Sequence, residues 1–138
     1  LANEIGGNWI TADKILTTDV DIISPCAIGG VVTPQIVNDI RAWAICGGAN
    51  NQLSDPSVDA LLAARGIAYI PDFLASSGAV IEGIARTVMN TDPDPFIARL
   101  EATAVLILQQ ARKEKSGTDA IGRTIALSRI QKVNLSAA

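Results

Sequence analysis

The stretch Arg41-Ala42-Trp43-Ala44-Ile45-Cys46-Gly47-Gly48-Ala49-Asn50-Asn51-Gln52-Leu53 (RAWAICGGANNQL) decides how this chain folds. Ala42 to Cys46 is a short apolar run without polar alternation, the pattern of a strand covered on both faces. Two glycines, an alanine and two carboxamides then end it in a turn. Asp55-Pro56-Ser57 opens a helix with proline in its first turn. Val58, Leu61 and Leu62 recur at i, i+3, i+4, and Gly66 closes it. Working outward, the same unit appears on both sides. Upstream, the strand Val20–Ser24 leads through Pro25-Cys26-Ala27-Ile28-Gly29-Gly30 to a helix from Pro34 to Ile40, with Thr33 as its N-cap. Downstream, the strand Ile67–Ile70 leads through Pro71-Asp72-Phe73 to a helix from Ser77 to about Asn90. Three strand–helix units in a row predict an α/β fold with a parallel sheet and right-handed crossovers.

The rest of the chain is helical. Asp94-Pro95 starts a long helix with an apolar stripe at Phe96, Leu100, Ala104, Ile107 and Ala111. It breaks at Ser116-Gly117, and Thr118 caps a last helix running to about Val133. The expected organisation is therefore residues 1–90 as strand–helix units and 91–138 as C-terminal helices. At 138 residues and 49% apolar content the chain is one domain or part of one, with a real core. Its net charge of −3, with basic residues scattered, argues against nucleic acid as a partner. No apolar run reaches membrane-spanning length and no signal peptide is visible. Two cysteines, Cys26 and Cys46, form no disulfide framework, which points to the cytoplasm. The chain has no histidine, so His-based triads and His-ligated metal sites are excluded.

In parallel sheets, ligands bind outside the carboxyl ends of the strands. Here those ends are Pro25–Gly30, Gly47–Asn51 and Pro71–Phe73, all rich in small residues. Each has a plain structural explanation: turn glycines, an Asx turn at Asn50-Asn51, serine N-caps at Ser76 and Ser77, and Asp72 holding backbone amides. Each also has a functional one, as bare backbone against a flat ligand with uncharged amides to bind polar groups. No residue here is an evident catalytic acid or base, no carboxylates are paired for catalysis, and no metal cluster or G-x-G-x-x-G turn is present.

The segments DVDIISPCAIGGVVTPQ, CGGANNQL and RGIAYIPDFLASSGAVI, in this order, resemble the cofactor-binding domain of the glutamate/leucine/phenylalanine/valine dehydrogenases. TDAIGRTIALSRI is similar to the family's last helix, and the P-C-A-x-G-G and G-A-N-N forms resemble its leucine, phenylalanine and valine branch. The resemblance implies a partial Rossmann-like sheet and an oxidoreductase that deaminates an apolar L-amino acid to its 2-oxo acid and ammonia with NAD. It implies that Cys26, Ala27 and Ile28 line the cofactor, and that Gly48 and Ala49 pass close to the nicotinamide ribose. It gives Asn50 the ribose and the substrate carboxylate, and Val80 and Gly83 the side-chain pocket.

The departures from the family pattern are informative. Ser76-Ser77-Gly78-Ala79 stands where the family has N-A-G-G, so Ser76 takes the place of an asparagine that meets the nicotinamide carboxamide. Gly83 stands where a larger apolar residue is common, which implies a roomier pocket. The phosphate-binding turn and the domain bearing the catalytic lysines and aspartate have no counterpart in these residues. The expectation is that a missing N-terminal domain or companion chain supplies them, that the assembly is a homo-oligomer, and that this chain alone is inactive. The alternative is a stand-alone, non-catalytic binding or assembly module.

Overall fold

The computed structural model describes residues 2–136. After a 3-10 turn at Ile15–Thr17 come strand β1 (Ile22–Ile23), helix α1 (Pro34–Val37), strand β2 (Ala44–Ile45), helix α2 (Ser57–Ala64) and strand β3 (Ala68–Tyr69). Helices α3 (Asp72–Ala75), α4 (Ser77–Thr87), α5 (Asp94–Glu114) and α6 (Thr118–Ser136) follow. The three strands form one parallel sheet in the order β1-β2-β3, with Ile23 opposite Ile45 and Ile45 opposite Tyr69. The fold is α/β with strand–helix crossovers, as the sequence predicts.

The paired strands are shorter than the apolar runs that announce them. Hydrogen bonding continues past their ends, with Trp43 N donating to Asp21 O at 3.1 Å and Ile70 N donating to Ile45 O at 2.9 Å. Thr33 caps α1 as expected, accepting from Ile36 N, but α1 ends at Val37 rather than Ile40. Arg65 binds the carbonyls of Val37 and Ile40, so the chain leaving α1 is held by a side chain from the end of α2. On α2, Val58 and Leu62 are buried, whereas Leu61, expected on the same face, is 39% exposed.

Two cores lie on opposite faces of the sheet. Ile23, Ile45 and Tyr69 point into the first, with Val32, Val37, Ile40, Val58 and Leu62. Ile70, one residue after Tyr69, points the other way, towards the cluster of Leu74, Ile107, Ala111 and Ile121. The α5 stripe thus meets the sheet: Ile107 and Ala111 are buried and Leu100 and Ala104 partly so. Full coverage of both faces, expected for every strand, holds for β2 but not for β1, where Ile22 is 51% exposed. The tail packs on α2 and β3, and its cover ends before the β1 edge.

The start of α6 corrects another expectation. Thr118 does not act as a side-chain cap: its hydroxyl is buried without a hydrogen-bond partner. Asp59 of α2 does the work instead, its carboxylate accepting from Asp119 N at 3.1 Å and Ala120 N at 3.0 Å. Gly117 is glycine for space, since a Cβ there would lie 2.0 Å from Asp59 Oδ2. The left-handed turn that ends α5 falls on Lys115 at φ 53°.

Candidate functional site

The carboxyl ends of β1 and β2 are pressed together. A Cβ on Gly47 would lie 2.1 Å from Pro25 O, and one on Gly29 would lie 2.5 Å from Asn50 O. At these two positions glycine is demanded by contact with the neighbouring backbone. Ala49 N donates to Pro25 O at 2.9 Å, and Gly30 N to Asn51 O at 2.7 Å. The two turns form a single ledge. Gln52 buttresses it from within: fully buried, it donates through Nε2 to Gly47 O at 2.6 Å and Ala49 O at 2.9 Å. Sequence reasoning missed Gln52. Its signal was its place just before Leu53, which bridges to Val32 in the core.

The two asparagines do different jobs. Asn51 adopts the left-handed conformation at φ 53°, which asparagine tolerates better than most residues. Its amide donates to Asp72 Oδ2 at 2.6 Å. Asp72 is itself buried, with Tyr69 Oη donating to its Oδ1 at 3.3 Å and accepting from its amide at 3.2 Å. Asp72 thus ties the end of β3 to the ledge in a structural role. Asn50 is exposed on the outer side of the ledge.

Burial, and then the Asp72 carboxylate, push the Tyr69 phenol far above its ordinary value. The neutral phenol is therefore favoured by folding. The stabilisation is complete below the unfolded phenol pKa of about 10 and is lost as pH rises towards the folded value. Urea midpoints between about pH 9 and 11 should fall with rising pH in the parent protein, and Tyr69→Phe should flatten part of that slope.

The remaining candidates fall into two groups. Cys26, Ala27, Ile28 and Gly48 are all exposed along the ledge, whereas Ala49 is buried at 6% with its amide and carbonyl both bonded inside it. A Cβ on Gly48 would meet only Cys26 Sγ, at 3.9 Å, so its backbone faces open space. Cys26 Sγ accepts from Gly48 N at 3.4 Å and lies 3.4 Å from Ser24 Oγ. The Ser24 contact and then the Gly48 amide hold the Cys26 thiol below its ordinary pKa. Burial, and then the neighbouring Cys26, raise that of Cys46.

The second group stands on α3 and α4. Ser76 stands at the N-cap of α4 without a side-chain cap bond and Ser77 is the first residue of the helix, so the plain explanation of these serines as caps does not hold. Ser76 Oγ donates to Asp72 O and Ser77 Oγ to Leu74 O, both at 2.7 Å. The Ser76 oxygen keeps lone pairs to accept from a ligand. Val80 is 61% exposed, and nothing lies within 4 Å of a Cβ placed on Gly83. Asp72 joins the start of this helix to the ledge, its carboxylate accepting from Asn51 N and its carbonyl from Ser76 Oγ.

Beside the ledge, an open groove of about 770 Å³ runs along β1, lined by Trp9, Ile15, Val20, Ile22, Ala27 and Ile28 among others. Among the described residues, no group of His, Cys, Asp and Glu is placed to hold a metal ion, and no helix is long and apolar enough to cross a membrane.

The family model described as Glutamate/Leucine/Phenylalanine/Valine dehydrogenase matches residues 2–118. A phenylalanine dehydrogenase of Thermoactinomyces intermedius is 33% identical over 127 residues, covering 90% of this chain and 34% of that one. A valine dehydrogenase of Streptomyces albus is 36% identical over 103 residues, covering 72% and 28%. The crystal structure of L-tryptophan dehydrogenase from Nostoc punctiforme superposes with a TM-score of 0.86 at 27% identity, over 95% of this chain and 41% of that one. This chain spans about a third of the length of the curated relatives it matches.

Proposed function

This chain belongs to the glutamate/leucine/phenylalanine/valine dehydrogenase family, and from that premise we propose that its ledge is one wall of an NAD site. The whole enzyme would oxidatively deaminate an apolar L-amino acid to its 2-oxo acid and ammonia. The observation that carries this reading is the bare backbone of Gly48 at the shared end of β1 and β2, flanked by exposed Cys26, Ala27 and Ile28. A flat, partly apolar ring fits such a surface, and ligands of parallel sheets bind at this edge.

The nicotinamide ring, when bound, supplies the hydride acceptor, and the protein supplies orientation and exclusion of water. In this reading Cys26, Ala27 and Ile28 pack against the cofactor and Ala49 sets the depth of the ledge. Asn50 offers an uncharged amide to the ribose and the substrate carboxylate, and Ser76 accepts from the carboxamide. Val80 and Gly83 bound the substrate side chain, with Gly83 leaving room for a bulky one. Residues 1–138 form the later part of the cofactor domain, and the acid and base groups come from another domain or subunit of an oligomer.

Calorimetric titration with NAD tests this. The 138-residue chain should bind NAD yet form no NADH from leucine, valine or phenylalanine. Gly48→Ala should leave the urea midpoint almost unchanged and weaken NAD binding at least about tenfold, or roughly 1.4 kcal/mol. Unaltered NAD affinity in that variant would remove Gly48 from the site.

A second reading, a non-catalytic binding or assembly module, draws on the exposed apolar residues at the β1 edge, with Trp9 at 81% and Ile22 at 51% exposure. It expects self-association without any NAD binding, which sedimentation and the same titration distinguish.

A further inference from the structure

We propose that Cys26 and Cys46 are a redox pair that closes to a disulfide across the ends of β1 and β2 when a hydroperoxide is present. Both thiols are free and exposed. Cys46 N donates to Ile23 O at 3.0 Å, which places Cys46 beside Ser24 on the neighbouring strand. Ile45 points into the first core, so Cys46, one residue on, points to the opposite face, the face left bare at Ile22. Ser24, beside Cys46 across the strands, shares that face, and Cys26 Sγ stands 3.4 Å from Ser24 Oγ. The two sulfurs therefore lie over the same face of one strand end.

The surroundings divide the roles. Cys26 Sγ receives the Gly48 amide and lies beside the Ser24 hydroxyl, contacts that favour a thiolate. Cys46 is partly screened and keeps its proton longer. In the first step the Cys26 thiolate attacks the outer peroxide oxygen. The O–O bond breaks, the leaving oxygen takes a proton from water, and Cys26 becomes a sulfenic acid. In the second, Cys46 loses its proton and its sulfur attacks that of Cys26. The S–O bond breaks and the hydroxide leaves as water, carrying the proton from Cys46. The sum is two thiols and one hydroperoxide giving a disulfide, an alcohol (water, for hydrogen peroxide) and water.

The bridge requires movement. One strand spacing of about 4.8 Å and two residues of rise put the Cα atoms roughly 8 Å apart, against a disulfide limit of about 7 Å. The turn after β1 must slide back by on the order of 1 Å. That displacement breaks the Gly48 N–Cys26 Sγ contact and pulls at the Ala49 N–Pro25 O bond. Oxidation would therefore deform the ledge, and this consequence for NAD rests on the function proposed above.

The test is treatment of the full chain with hydrogen peroxide, alkylation of remaining thiols, and non-reducing intact mass. The expected product is a monomer lighter by about 2 Da, unalkylated and restored by dithiothreitol. Cys46→Ser should stop at a sulfenic acid trapped by a cyclic diketone. Cys26→Ser should slow oxidation at least about tenfold. Alkylation of both thiols after peroxide, a disulfide-linked dimer, or undiminished oxidation of Cys26→Ser would overturn the proposal. A disulfide that forms at the same rate with and without saturating NAD would support the pair but count against the cofactor ledge.

Discussion

Asp59→Ala is expected to lower folding stability by about 3–4 kcal/mol, seen as a fall in the urea midpoint at unchanged slope. Asp59 is 5% exposed, and its carboxylate accepts from two backbone amides at the start of α6, some sixty positions away in the chain. Each such bond to a charged acceptor contributes about 1.5–3 kcal/mol, and truncation leaves both donors unpaired in a screened position. Negative charge at a helix N-terminus also meets the positive end of the helix dipole. Asp59→Asn keeps one acceptor of similar shape and should lose about half as much. Because α6 packs on α2 and β3, loss of its anchor should also loosen the second core. Hydrogen exchange should then accelerate first along α6. A loss below about 1 kcal/mol in Asp59→Ala would mean that α6 holds its place by apolar contact alone.

Gly47→Ala should damage the fold and the ledge together. The added methyl would stand 2.1 Å from Pro25 O and 2.5 Å from Pro25 N, both backbone atoms that cannot rotate away. The ends of β1 and β2 must part, and overpacking of this kind costs about 1–3 kcal/mol. The Gln52 bond to Gly47 O and the Ala49 bond to Pro25 O lie in the path of the shift. NAD binding, measured by the same titration, should fall by more than tenfold. The contrast with Gly48→Ala is the informative result, since that methyl meets nothing nearer than Cys26 Sγ at 3.9 Å. Adjacent glycines would then separate contact within the ledge from contact with the ligand. Equal effects on stability at the two positions would contradict this division.

Much of the candidate site was legible because it consists of turn chemistry repeated at strand ends. The small residues after Ile23 and Ile45 read as turn glycines or as backbone bared to a ligand, whereas at Gly29 and Gly47 the close contact is with the backbone of the neighbouring strand end. The support of the site was far less legible. Gln52 reads locally as one more polar turn residue, yet it is the buried brace of the ledge. Asn50 and Asn51 look equivalent in sequence, and only the backbone separates an exposed amide from a left-handed turn residue held by Asp72.

By itself the sequence determined the order of the strand–helix units, the Thr33 cap and the apolar stripe of α5. Periodicity and capping depend on residues within about four positions of one another, so they survive without the rest of the fold. Only the tertiary structure decided that Asp59, not Thr118, holds the start of α6, and that β1 is bare on one face. Those outcomes depend on which helices reach which part of the sheet. A buried carboxylate finds its amides across sixty residues by packing, and no local spacing marks such a pair.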